Sequence, residues 1–253
     1  SSNGFPFAMG GIVGRVAAGD AEITGCSNKA NLKNSFRTNT KWNNGDNLGI
    51  NYLGGIIGQY RTYKGEETGK LSMTSCSNEG TLESSRGAAG GIIGFANNVE
   101  MTSCTNSGSM ASGSRIMAGG IAGVAFNGTV ISESSASCII SASTNGAGPG
   151  RAGGIVAVLR QNSNVISCSF FGEVKKPDDN TSYGVGYAGA IVGVAATENS
   201  SNPITATPDA TCKVENCKVK GKVADVDLTE SNIASYLCGV ADQSILSGNQ
   251  YWK

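Results

Sequence analysis

Cysteine is the most reactive residue type available to this chain: eight cysteines stand beside no histidine. Without imidazole there is no Ser-His-Asp triad, no His-Glu-x-x-His zinc site and no histidine acid–base catalysis. Any reaction has to rest on carboxylates, lysine, tyrosine or arginine. The carboxylate pairs Glu66-Glu67, Asp178-Asp179 and Asp225/Asp227 all fall in segments that interrupt a repeating pattern. Glycoside cleavage needs two acids facing one cleft, and the repeating positions supply no column of acids. Asp178-Asp179-Asn180 offers too few oxygens for calcium. The sequence therefore assigns no catalytic residue, no metal ligand and no cofactor. Binding is the better prospect. Trp42, Tyr52, Tyr60 and Tyr63 cluster with Arg61, Lys64 and Asn43-Asn44. Exposed, such a group stacks on a sugar ring and bonds its hydroxyls; the competing reading packs these aromatics onto the body of the protein.

The cysteines are not scattered. Five close one recurring signature: Ile23-Thr24-Gly25-Cys26, Met73-Thr74-Ser75-Cys76, Met101-Thr102-Ser103-Cys104, Val165-Ile166-Ser167-Cys168 and Val214-Glu215-Asn216-Cys217. A sixth copy, Ile131-Ser132-Glu133-Ser134, replaces the cysteine. Equivalent positions in stacked units form a column, so Cys26, Cys76, Cys104, Cys168 and Cys217 read as an inward structural ladder of compact apolar side chains. Cys212 and Cys217 could also form a local disulfide. Asn28, Asn78 and Asn106, two residues after the cysteine, fit a corner, since asparagine tolerates left-handed backbone and bonds to its own turn.

What positions these residues is a second signature. It reads Gly10-Gly11-Ile12-Val13-Gly14, Gly54-Gly55-Ile56-Ile57-Gly58, Gly90-Gly91-Ile92-Ile93-Gly94 and Gly119-Gly120-Ile121-Ala122-Gly123, then decays through Gly153–Ala157 and Gly189–Gly193 to Ser235–Gly239. Self-similarity of this kind means one structural unit stacked on copies of itself. The segments are short, rich in Val, Ile and Thr, and bounded by Gly, Asn and Ser, which is strand and turn chemistry. No helical stripe is sustained. Cys76 and Cys104 are 28 residues apart, too short for a propeller blade of about 40–45 residues. The expectation is an all-β chain: a right-handed parallel β-helix (solenoid) of about seven coils with loop insertions, forming one domain over 1–253. The glycine signature is expected as the first strand of each coil, the cysteine in the second. The insertions run about 33–52, 59–70, 175–187, 195–211 and 224–235, and loops on a rigid stack are where function usually sits. Trp252 is expected to cap the last coil.

Formal net charge is zero and 15% of residues are charged, which lacks the footprint of a nucleic-acid binder. No run of 18 apolar residues suggests a membrane span. The opening Ser1-Ser2-Asn3-Gly4 leads almost directly into a repeat, so the expectation is a fragment of a longer exported protein with flanking domains.

Gly-Gly-Ile-Val-Gly, a gap, then Ile-Thr-x-Cys-x-Asn-x-Gly-x-Leu closely resembles the GLUG repeat, with departures at Ser134, Ala157, Ala190 and Ser235. GLUG-type repeats belong to bacterial surface and secreted proteins, many from Bacteroidetes, including adhesin-like proteins. The resemblance implies an extracellular, cell-surface location and brings no catalytic residues with it. The function expected is a non-catalytic adhesion or display module that binds a glycan or a host surface protein. The alternatives are a carbohydrate-active β-helix enzyme, glycoside hydrolase or lyase, and a passive spacer or stalk.

Overall fold

The computed structural model describes residues 7–17, 19–35, 51–61, 69–85, 87–112, 116–142, 150–177, 186–197 and 207–253. Among the described residues the strands form sheets of six, seven, seven and twelve members, joined almost entirely by parallel pairing. Each strand pairs with its sequence equivalent in the neighbouring repeat. The register follows the repeat: Gly10, Gly54, Gly90, Gly119, Gly153 and Gly189 stack in the first sheet. Ile23, Met73, Met101, Ile131, Val165, Val214 and Leu246 stack in the third. Identical register puts like side chains on like, so one buried cluster runs through every repeat. Each fully buried Leu or Ile in it contributes about 1.5–3 kcal/mol.

The glycine signature is a turn, not a strand. Gly54 closes the strand Asn51–Gly54, and Ile57 opens the strand Ile57–Tyr60 in the second sheet. A Cβ on Gly54 would run into the Ile57 carbonyl; one on Gly55 would sit 2.5 Å from Asn78 Cγ; one on Gly58 would sit 2.5 Å from the Met9 backbone nitrogen in the preceding repeat. The chain reverses so tightly, and the two sheets lie so close, that side chains are excluded there. Sequence periodicity marks the strands on either side but not the reversal between them.

The cysteine likewise lies just outside a strand. The third-sheet strand Ala21–Thr24 ends before Cys26, and a two-residue strand, Ser27–Asn28, begins after it. The residue ahead of each column position has positive φ: Gly25, Ser75, Ser103, Glu133, Ser167 and Asn216. This left-handed residue turns the corner and aims the next side chain inward.

A second corner depends on asparagine. Asn28, Asn78 and Asn106 each donate Nδ2 to the carbonyl two residues on, at 3.0, 2.9 and 3.1 Å, breaking the chain into Ser27–Asn28 and Leu32–Asn34 and their copies. Ala136 keeps the break while stacked on the Asn106 corner. Where Phe170 and Val219 stand instead, the chain runs straight as Ser169–Lys175 and Lys218–Val223. These long strands fuse two stacks into the twelve-stranded sheet.

The two ends differ. In the first repeat Met9, Val13, Ile23, Cys26 and Leu32 are only partly buried. At the other end, strands within 238–251 pair as the last rung, preceded by the segment 224–237. A hairpin pairs Lys222 with Asp227, the short helix Ile233–Tyr236 follows, and Leu228, Ile233, Leu237 and Ile245 are buried in the core cluster. Trp252 is not the cap: it is 42% exposed.

Candidate functional site

The cysteine column is structural. All eight cysteines are free, Cys212 and Cys217 included, so no local disulfide joins that pair. The Cys76, Cys104, Cys168 and Cys217 thiols lie 3.5, 3.9, 3.4 and 3.8 Å from the carbonyls of Ile23, Met73, Ile131 and Val165 one repeat back. Ser134 continues the column by accepting the Cys104 amide at 3.0 Å. Asn249 ends it, accepting the Cys217 amide at 2.9 Å and donating to the Val214 carbonyl at 2.9 Å. Burial pushes Cys217 up to about 11 and Cys138 and Cys238 up to about 12. The neighbouring Cys76 side chain, then burial, raise Cys104. The thiols so raised are held neutral and are poor nucleophiles and metal ligands. Cys76 shifts the other way, lowered by its hydrogen bond with the Cys104 thiol, and is shielded by full burial.

Of the four aromatics expected to meet a ligand, Tyr52 and Tyr60 do not. Both are 0% exposed. Tyr52 lies in a second buried cluster with Phe95, Met117, Val124 and Val158, its ring centroid 5.0 Å from that of Phe95. The neighbouring cations are used the same way: Arg61 lies over Phe95 at 5.9 Å and Arg160 over Phe126 at 6.0 Å. Tyr60 donates its hydroxyl to the Gly19 carbonyl at 2.9 Å, and burial, with Asp20 nearby, raises its pKa. These tyrosines flank the glycine reversal, where the close approach of two sheets covers the side chains of both. Trp42 and Tyr63 lie outside the described residues. So do Glu66-Glu67 and Asp178-Asp179; Asp227 is engaged by Lys222 at 3.5 Å.

Asp209, which the sequence did not single out, is an anchor. It is 2% exposed. It accepts from the Gln161 amide at 2.8 Å, the Thr211 amide at 3.0 Å and the Thr211 hydroxyl at 2.6 Å. Burial works to raise its pKa, but these bonds outweigh it and hold the carboxyl below its ordinary value.

The candidate site lies at the C-terminal end, where the insertion 224–235 meets the last strand. The strand Gln250–Tyr251 pairs with Lys218–Val223, Gln250 beside Lys218 and Tyr251 beside Val219. Alternation turns Tyr251 toward the core and Gln250 and Trp252 outward. The groove so formed has a volume of about 650 Å³ and is lined by Lys218, Glu230, Ile233, Ala234, Asn249, Gln250, Tyr251, Trp252 and Lys253. The Trp252 indole stands edge-on to Phe171, with centroids 5.2 Å apart and planes at 84°. Lys218 Nζ lies 4.6 Å from the Trp252 ring centroid. Lys253 Nζ and Glu230 Oε2 are 3.5 Å apart across the groove. An aromatic fixed on two sides, half open to solvent and ringed by amide, ammonium and carboxylate groups can stack a ring and bond its substituents. The signal available in sequence was Trp252 itself, at the end of the chain where an outward reading competes with a cap.

Comparison of this chain with family models, with curated proteins and with solved structures gives no match.

Proposed function

We propose that the chain is a non-catalytic extracellular adhesion or display module that binds glycans through the Trp252 groove. Its four stacks are read as a right-handed parallel β-helix of about seven coils, of the GLUG-repeat type found on bacterial surfaces. The parallel pairing of equivalent strands over seven rungs supports the stacking of coils. The observation that carries the binding assignment is Trp252. It is 42% exposed yet held by Phe171 and Lys218, above a groove that offers Gln250, Glu230 and Lys253 as hydrogen-bonding groups. A large apolar ring left open and pre-oriented loses little entropy on binding. The core gives the rigidity a display module requires.

A glycan array probed with the intact chain and with Trp252→Ala tests this. The intact chain is expected to retain a subset of saccharides, and the variant to lose about tenfold or more in affinity for them. Equal retention by both proteins rejects the groove as the binding site.

A further inference from the structure

Lysines cluster beside the groove. The outer face of the strand Lys218–Val223 presents Lys218, Lys220 and Lys222, all exposed. Lys253 lies beside them at the end of the chain. Of the carboxylates beside this group, Asp227 is engaged by Lys222 and Glu230 by Lys253, both at 3.5 Å; Glu173 stands beside Lys222 in register, one step further from Trp252. At the other end of the stack, lysines and acids are matched across neighbouring rungs, as in Lys29–Glu79 at 3.2 Å and Lys33–Glu83 at 2.6 Å. Lys218 and Lys220 have no carboxylate within 4 Å among the described residues. They flank the aromatic pair: Phe171 stands beside Lys220 in register, and Lys218 lies over the Trp252 indole. A chain of zero net charge thus concentrates two unmatched ammonium groups against its one described exposed tryptophan.

We infer that the ligand of this groove is an anionic polysaccharide, in which a pyranose ring stacks on Trp252 while a carboxylate or sulfate on the same or the next sugar is bound by Lys218 and Lys220. The inference rests on the proposed glycan-binding role and names its substrate class. A flexible ammonium lying over an indole is well placed for this, since it keeps its favourable contact in the empty site and swings to the anion when one arrives. A neutral sugar would leave both charges unused.

The test uses the intact chain with four polysaccharides: polygalacturonate (carboxylate only), dextran sulfate (sulfate only), chondroitin sulfate (both) and dextran (neutral). Affinities are measured by biolayer interferometry at low and high salt. At least one anionic polymer is expected to bind about tenfold or more tighter than dextran and to weaken with salt; polygalacturonate against dextran sulfate tells which group is read. Lys218→Gln with Lys220→Gln is expected to remove that tenfold preference without changing the melting temperature. Lys29→Gln with Lys33→Gln, an equal loss of charge at the other end, is expected to leave it intact. Equal binding of dextran, or an equal loss in the Lys29/Lys33 control, overturns the inference. If Trp252→Ala abolishes binding while the Lys218/Lys220 variant binds normally, the groove stands and the anionic ligand falls. If no polysaccharide in this set or on the array binds, the glycan-binding reading itself is rejected.

Discussion

The side-chain amide of Asn106 donates to Cys138 Sγ at 3.4 Å, and with that bond the asparagine ladder ends. Behind it, Asn28 donates to Asn78 Oδ1 at 2.7 Å and Asn78 to Asn106 Oδ1 at 2.8 Å. The amides are buried and bonded head to tail, so each depends on its neighbour. Beyond Cys138 the ladder position holds Phe170 and Val219, and the chain straightens.

Asn78→Ala is expected to cost about 2–3 kcal/mol in urea denaturation, because it leaves buried partners on both sides unsatisfied. Asn28→Ala, at the open end of the ladder, should cost distinctly less. Equal losses would show that the side chains hold only their own turns.

The third glycine of the signature faces the preceding repeat. Gly58→Ala places Cβ 2.5 Å from the Met9 nitrogen, and backbone cannot retreat; about 2–3 kcal/mol of destabilisation is expected. Gly14→Ala, at the same signature position in the first repeat, meets only the Ala8 carbonyl oxygen, at 3.0 Å, and should cost under about 1 kcal/mol. Paired denaturation curves check the ratio.

Buried thiols whose pKa is raised to about 11 or 12 favour the neutral form in the folded chain. An unfolded thiol ionises near pH 8.5. The stability they contribute is therefore complete below that pH and is lost as pH rises through 11–12. Melting temperature should fall steeply over that window. At pH 8 a thiol reagent should modify partly exposed Cys26 first, leaving Cys76, Cys104, Cys168 and Cys217 intact until urea is added; mass spectrometry reads the order.

Asp209 works in the opposite sense. Its pKa is lowered, so its contribution is complete above the unfolded value near 3.9 and is lost as pH falls through the lower folded value. Asp209→Ala should cost about 2–3 kcal/mol at pH 7 and very little in strong acid. A loss that persists unchanged in acid would assign the effect to packing instead.

By itself the sequence determined the repeat, its all-β character and its core columns. A register that repeats in residue type can pair only with itself, and burial follows from the apolar positions. The cysteine column and the asparagine corner were both legible in that way. Three things were decided by tertiary structure alone. The glycine signature is a reversal between two sheets, because what excludes a side chain at Gly58 is the backbone of another repeat, Met9, 49 residues earlier in the chain. Tyr52 and Tyr60 are core, because strands flanking that reversal are covered by their neighbours, a long-range contact that local composition does not encode. Trp252 is open, while Leu228 and Ile233 from the insertion before it, with Leu237 and Ile245 of the last rung, are buried in the core. Which aromatic meets solvent depends on which segment reaches the core first, and only the folded chain settles that competition.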